Sequence, residues 1–225
     1  MSQKLVYPVW MLASVIAAVW LREIAWCIVA GVVGLGVQGI AARAWRTETG
    51  ALAFANMLTL LRLGLVASLP VLFAAVSRLH FIVLVLLLLV LDGVDGRVAR
   101  ARGEASALGA ALDMETDALS VMVLGLLLHR AGAAGAWVLI AGLWRYVYAS
   151  AVALVPALGD CPPSRLYRWV FGLLMIALAG AFVPWAGPAR FFAAVGTVLV
   201  SVSFMHSIVR SRAFSPRGSS GSARP

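Results

Sequence analysis

The sequence predicts an all-α integral membrane protein, a polytopic helical bundle of about eight spans. The first reason is composition: 63% of the 225 residues are hydrophobic and 12% are charged, whereas a soluble domain carries about 45–50% apolar and about 25% charged residues. The second reason is the mean hydropathy of +0.98. The third is that the apolar residues form eight runs, each close to the length of a membrane-spanning helix. These runs cover residues 5–21, 25–42, 56–76, 80–95, 106–128, 134–154, 166–185 and 189–209.

The basic residues predict the orientation of the bundle. If the N-terminus lies in the cytoplasm, thirteen of the 18 lysines and arginines fall on the inner side, four fall outside and Arg145 lies within a span. Cytoplasmic loops of membrane proteins carry an excess of these residues. We therefore expect a multi-pass protein of the inner (plasma) membrane with both termini inside. The same distribution accounts for the formal charge of +9 without a nucleic-acid partner.

The first two runs, within residues 1–50, predict two N-terminal transmembrane helices to which we assign no function. The first lacks a convincing small-x-small cleavage site, so an uncleaved helix is expected. In the second, Gly34, Gly36 and Gly39 match the G-x-G-x-x-G pattern of dinucleotide-binding proteins. That pattern requires a preceding strand and an acidic residue about 20 positions later, where this chain has an apolar helix and Thr59. Close packing of helices is the favoured interpretation of these glycines.

The fourth and fifth runs meet at a segment that holds most of the carboxylates of the chain. Six of the nine acidic residues lie between positions 91 and 117. Asp92 and Asp95 share one helix face, and Asp113 and Asp117 share a face of the next helix, because residues three or four positions apart lie on the same side. The connecting segment is short, so the two helices are expected to be antiparallel neighbours. Four carboxylates would then converge near the inner membrane surface.

Such a cluster requires positive charge. A charged side chain at mid-bilayer costs about 2.5–3.5 kcal/mol, and like charges repel one another. Arg97, Arg100 and Arg102 are close enough in sequence to offset part of this cost. Divalent cations would offset more, since hard oxygen ligands suit Mg²⁺ or Mn²⁺, and two such ions are a common device for phosphoryl transfer. The alternative, a solvated loop with ion pairs, does not explain carboxylates and glycines in helical register.

These residues resemble the signature of the CDP-alcohol phosphatidyltransferase family. The signature is D-x-x-D-G-x-x-A-R, then eight or nine residues, then G-x-x-x-D-x-x-x-D. Every fixed position is matched, with eight residues between the two halves, by Asp92, Asp95, Gly96, Ala99, Arg100, Gly109, Asp113 and Asp117.

A second family pattern, N-x-L-T-x-x-R, is matched at the start of the third run. The stretch "NMLTLLR" supplies Asn56, Thr59 and Arg62, although Ala55 stands where a proline is usual. Together the two patterns make the likeness extend over about residues 54–210.

The resemblance implies a transferase of phospholipid biosynthesis. It would move a substituted phosphate, commonly phosphatidyl, from a CDP-alcohol, commonly CDP-diacylglycerol, to an alcohol acceptor and release CMP. It implies a six-helix core at 54–212 with an active site facing the cytoplasm, and many members of the family form homodimers. Residues 213–225 are rich in Gly, Ser and Pro and are predicted to be a disordered tail.

The resemblance also assigns roles to the matched residues. Two Mg²⁺ or Mn²⁺ ions would be held by Asp92, Asp95, Asp113 and Asp117, and Asp117 would in addition act as the base on the acceptor hydroxyl. The cytidine and diphosphate of the donor would be bound by Asn56, Thr59, Gly96, Ala99, Arg100 and Gly109.

Two arginines within the apolar runs leave alternatives open. Arg145 lies about halfway along the sixth run, where it either pairs with a motif carboxylate, snorkels, or faces the cavity and holds an anionic acceptor or the donor phosphate. Arg62 lies in the first two turns of its helix, so snorkelling and substrate contact are both open. Glu115 points to a different helix face from Asp113 and Asp117 and is expected to pair with an arginine.

A competing interpretation is a non-enzymatic, cation-coupled transporter that uses the aspartate cluster. The sequence contains neither an inverted repeat nor a matched pair of broken helices, which transporters often have. Within the enzyme interpretation the acceptor stays unassigned. The stretch "DMETDA" differs from the D-P-x-A-D-K of phosphatidylglycerophosphate synthases and from the D-S-L-A-D of serine-transferring members, although "DGRVAR" resembles the latter.

Overall fold

The structure, a computed structural model, describes residues 9–17, 54–154 and 165–214, together with single positions at 25, 28 and 31. Every regular element in these residues is helical. The predicted all-α fold is therefore confirmed for the described part of the chain. Most of the second predicted helix, and nearly all of the predicted tail, lie outside the described residues.

Six helices follow one another from residue 54 onwards, and each corresponds to one of the last six apolar runs. They are α1 (Phe54–Ala75), α2 (Arg78–Ala101), α3 (Ala107–Arg130), α4 (Ile140–Leu154), α5 (Arg165–Gly180) and α6 (Ala186–Phe214). A short 3₁₀ helix, Ala136–Leu139, leads into α4.

Several helix bounds differ from the limits of the apolar runs. Helix α4 begins at Ile140 although its run begins at 134, α6 continues to Phe214 although its run ends at 209, and the ends of α2 and α5 also differ. The fourth run stops at 95, where charged residues begin, but the backbone of α2 stays helical to Ala101. The seventh run continues to 185, but α5 ends at Gly180 because Ala181 and Phe182 belong to a buried apolar turn. Hydropathy indicates whether a segment contacts lipid, the protein core or water. It does not by itself indicate where a helix ends.

Three helices among the described residues are long and apolar enough to cross a membrane: Asn56–Ala75 of α1, all of α2, and Gly187–His206 of α6. Only 22% of the apolar window of α1, and likewise of α2, is buried inside the protein. Their large exposed apolar side chains form the kind of surface that faces lipid. Helices α4 and α5 have 15 and 16 residues, fewer than the about 20 that a perpendicular span needs. The number of about eight spans stays a prediction.

Helix α3 lies at the centre of the core. It contacts α1, α4 and α5, and every side chain from 118 to 128 is buried. A helix that is apolar on all sides belongs in the middle of a bundle. The N-terminal region packs against the same core, since Met11 and Val15 are buried in it and a Cβ added to Gly31 would lie 3.0 Å from Leu119.

The turn between α2 and α3 fixes the relative position of these two helices. Gly103 adopts a positive φ of 65°, a conformation that glycine takes without steric cost. The amide of Glu104 then donates to the carbonyl of Ala99 at 2.8 Å. Ser106 caps α3 by accepting from the amide of Gly109 at 3.0 Å. Helices α2 and α3 nevertheless make few direct contacts, and each packs mainly against α1. The expected direct pairing of these two helices is therefore not found, and their aspartates approach one another beside α1.

Candidate active site

One face of α1 carries three buried polar residues. Asn56, Thr59 and Arg62 are spaced three positions apart, and they are exposed by only 2%, 4% and 1%. The same face continues with Val66 and Leu69, which are also buried. This is the face that packs against α2 and α3. Buried polar groups require partners, and for Arg62 and Thr59 these partners are aspartates of the neighbouring helices.

The guanidinium of Arg62 joins all four aspartates. Its Nη1 donates to Asp92 Oδ1, and to Asp95 Oδ2 at 3.3 Å. Its Nη2 donates to Asp113 Oδ1 at 2.6 Å and to Asp117 Oδ1 at 2.9 Å. The convergence predicted from helical spacing is therefore confirmed. The compensating cation is an arginine of α1, far away in sequence, and not one of the three arginines that follow Asp95.

The cluster has more hydrogen-bond acceptors than donors and more negative than positive charge. One guanidinium contacts four carboxylates. Thr59 Oγ1 donates a further hydrogen bond to Asp95 Oδ2 at 3.2 Å. Asp95 Oδ1 is buried and has no hydrogen-bond partner among the described residues. A buried acceptor without a partner costs about 1–3 kcal/mol, so this oxygen is a position at which a cation or a ligand donor would stabilise the site.

Three of the aspartates fit a divalent cation. Asp92, Asp95 and Asp113 each offer one carboxylate oxygen, and these atoms all lie within 4.8 Å of one another. A donor set made only of carboxylate oxygens suits the hard ions Mg²⁺ and Mn²⁺. Asp117 lies outside this group of three and shares the guanidinium of Arg62 with it.

A cavity of about 190 Å³ opens beside the cluster. Its lining includes all six residues that the resemblance assigns to the donor, together with two of the aspartates. The lining residues are Asn56, Thr59, Asp95, Gly96, Ala99, Arg100, Glu104, Ala105, Ser106, Gly109, Ala110 and Asp113. Residues from three helices and one turn thus meet at a single cavity that borders the carboxylates.

Gly109 permits the close approach of α1 and α3 at this cavity. A Cβ built on Gly109 would lie 2.8 Å from Asn56 Oδ1 and 3.3 Å from Ser106 Oγ. At Gly96, by contrast, the nearest atom would be Arg100 Nη1 at 3.5 Å, an ordinary contact. Close packing therefore requires glycine at 109, and it does not require glycine at 96.

Arg145 is paired outside this cluster. Its Nη2 donates to Glu115 Oε1 at 2.8 Å, which links α4 to α3. Neither residue lines the cavity. Arg145 therefore pairs with a carboxylate, but that carboxylate is Glu115 and not one of the four aspartates of the motif. The prediction that Glu115 pairs with an arginine is confirmed.

Sequence reasoning missed two features of the site. The turn residues Glu104, Ala105 and Ser106 line the cavity, and only Ser106 gave a signal, as a typical N-cap residue just before an apolar run. The contact of Arg62 with all four aspartates was also missed. Its partners lie 30 to 55 positions away, so no local spacing reveals it.

Comparison with known proteins gives one match. A family model described as CDP-alcohol phosphatidyltransferase matches residues 52–209, more than half of the chain. Neither the curated proteins nor the solved structures yield a match. The matched range contains the cavity, Arg62 and the four aspartates.

Proposed function

This chain belongs to the CDP-alcohol phosphatidyltransferase family, and from that premise we propose that it transfers a phosphatidyl group from CDP-diacylglycerol to a small alcohol in phospholipid biosynthesis. The family and the apolar helices make it an integral membrane transferase that uses a CDP-alcohol. Family membership does not support the alternative of a cation-coupled transporter.

The observation that carries this proposal is the shared cavity. The residues proposed to bind the donor line the same space as Asp95 and Asp113. Arg100 lines the same space, so its guanidinium and any cations held by the aspartates would both supply positive charge to a diphosphate bound there. Charge would thus be provided where a pyrophosphate linkage carries its negative oxygens.

The carboxylates beside the cavity fit divalent metal. We propose that Asp92, Asp95, Asp113 and Asp117 hold two Mg²⁺ or Mn²⁺ ions, which would neutralise phosphate oxygens and stabilise the departing CMP.

The remaining chemistry is assigned to side chains of this chain. Asn56 and Thr59 on α1 would orient the nucleotide, and the small residues Gly96 and Gly109 would let it approach the backbone. Asp117 would accept the proton of the acceptor hydroxyl. The hydroxyl oxygen then bonds to the phosphorus of the phosphatidyl group, the bond from that phosphorus to the oxygen of CMP breaks, and CMP leaves with the electron pair.

The proposed setting is the inner membrane, with both termini and the cavity on the cytoplasmic side. This orientation rests on the distribution of the basic residues. The acceptor is left unassigned.

The test is CMP release by the purified protein in detergent. CDP-diacylglycerol and Mg²⁺ would be supplied with a panel of acceptors: glycerol 3-phosphate, serine, inositol phosphate and choline. We expect CMP release and a new phospholipid with one of them, and no release when EDTA removes the metal. Absence of CMP and lipid product with every acceptor, in protein that binds Mn²⁺, would contradict the proposal.

A further inference from the structure

We propose that Arg62 is an internal counter-cation of the active site that competes with divalent ions for the four aspartates. Its significance for turnover rests on the function proposed above, but the competition itself is a binding property. It would couple metal binding to the release of the side chain from the cluster.

The contacts of Arg62 are divided between two helices. Nη1 contacts the two aspartates of α2, and Nη2 contacts the two aspartates of α3. The planar fork of a guanidinium suits this arrangement, because its donors point in fixed directions. Arg62 of α1 therefore ties α2 to α3 through their carboxylates, as bridging cations would.

The same carboxylates serve both kinds of cation. Asp92, Asp95 and Asp113 form the group that fits a metal ion, and all three also contact Arg62. A dication placed among these oxygens would lie close to the guanidinium, and two positive charges at such distances repel strongly in a buried site. Full contact of both cations with the same oxygens is therefore unfavourable.

Within the described part of the chain, the aspartates alone hold Arg62 in place. Its side chain is 2% exposed, so water does not compensate its charge. Its Nε is buried and has no hydrogen-bond partner among the described residues. Once a metal ion takes the carboxylates, nothing in the described part of the chain anchors the guanidinium where it lies, and it becomes available to the phosphates of a donor in the adjoining cavity.

The alternative is that Arg62 is a fixed structural clamp that stays on the aspartates after metal binds. The two ideas predict opposite effects of removing the guanidinium. If Arg62 competes, its removal strengthens metal binding. If it only organises the aspartates, its removal weakens metal binding or leaves it unchanged.

The experiment is a titration with Mn²⁺ alone, without nucleotide, followed by electron paramagnetic resonance of free Mn²⁺. Wild-type protein is compared with Arg62→Gln, Arg62→Lys and the matched control Arg97→Gln, which removes an exposed charge of α2. All proteins are purified with Mg²⁺ and then stripped. We expect Arg62→Gln to lower the Kd for Mn²⁺ about tenfold or more, a usual size for coupling between competing ligands. Arg97→Gln should change it by less than about threefold.

Arg62→Lys keeps the test decisive if the glutamine variant does not fold. Lysine retains one compact charge but cannot reach both pairs of aspartates, so its Kd should lie below the wild-type value. Thermal unfolding adds a second readout: the Arg62 variants should unfold at a lower temperature than wild type without metal and recover more than wild type when Mn²⁺ is added. Unchanged or weaker Mn²⁺ binding by the folded Arg62 variants would overturn the inference.

The outcomes separate this inference from the proposed function. Tighter Mn²⁺ binding by the Arg62 variants, together with a wild-type protein that releases no CMP, would support the competition and contradict the proposed function. Metal-dependent CMP release by wild type, together with no gain in Mn²⁺ affinity in the variants, would refute the competition and leave the proposed function standing.

Discussion

Replacement of Gly109 by alanine tests the close approach of α1 and α3 at the cavity. The added Cβ would lie 2.8 Å from Asn56 Oδ1, about 0.6 Å short of the 3.4 Å at which ordinary contact begins. It would also lie 3.3 Å from Ser106 Oγ, the cap of α3. Asn56 is 2% exposed, so its amide has little room to move unless α1 shifts away from α3.

Two opposing energies decide the size of the effect of Gly109→Ala. Alanine in a helix is favoured over glycine by about 0.8–1.0 kcal/mol. Overpacking of a tight contact costs about 1–3 kcal/mol. We expect net destabilisation of up to about 2 kcal/mol. Displacement of the Asn56 amide should remove a hydrogen bond to the bound CDP-alcohol. The loss is about 1–1.5 kcal/mol of binding free energy, which corresponds to roughly a tenfold rise in the KM for the CDP-alcohol.

The assay measures thermal unfolding in detergent and the KM for the donor from CMP release. Gly93→Ala is the matched control, because Gly93 lies on the neighbouring helix α2 and a Cβ there would meet nothing within 4 Å. The control should leave KM unchanged and raise the unfolding temperature slightly. A Gly109→Ala variant with the KM and the unfolding temperature of wild type would refute the reasoning.

Three further predictions address other contacts of the site. Thr59→Val removes the hydroxyl that donates to the buried aspartate of α2 and should lower the free energy of unfolding by about 1–3 kcal/mol in chemical denaturation, while Thr59→Ser stays close to wild type. Glu115→Gln leaves the charge of Arg145 without its partner, so it should lower the free energy of unfolding. The double variant Glu115→Gln/Arg145→Gln should lose less stability than the two single variants summed, by about 1 kcal/mol or more, and additive losses would argue against the pair. Asp117→Asn should lower CMP release by about 10²-fold or more while nucleotide binding stays within a few fold, and the control Ser120→Ala should retain turnover; rapid CMP release by Asp117→Asn would remove its assignment as the base.

Local periodicity accounts for most of what the sequence predicted. Asp92 and Asp95 share a helix face because of a three-residue spacing, and Asp113 and Asp117 share one because of a four-residue spacing. The structure brings these two faces together. The positions of six helices also followed from the apolar runs, since lipid and a buried core both select apolar side chains. The bounds differ from the runs at the start of α4 and at the ends of α2, α5 and α6. At α2 and α5 the chain reverses where backbone conformation, and not hydropathy, sets the turn.

The rest of the site depends on contacts between distant segments. Arg62 meets aspartates on two other helices, and Arg145 meets Glu115 across the interface of α3 and α4. For Arg62 the local sequence allowed snorkelling or substrate contact, and for Arg145 it also allowed pairing with a motif carboxylate, because both side chains are long enough to reach any of these. Only the packing of the helices decides between these outcomes. The turn residue Glu104 escaped notice for the same reason, since its place in the cavity follows from the reversal at Gly103.

The central claim is that aspartates of α2 and α3 jointly hold divalent cation beside a nucleotide cavity. The most direct measurement is an experimental structure of the protein with Mn²⁺ and a CDP-alcohol, with anomalous diffraction recorded at the manganese edge. We predict anomalous density between α2 and α3, coordinated by Asp92, Asp95 and Asp113, with the diphosphate in the adjoining cavity. Manganese density elsewhere, with these three carboxylates bound to no ion in the presence of the donor, would contradict the account.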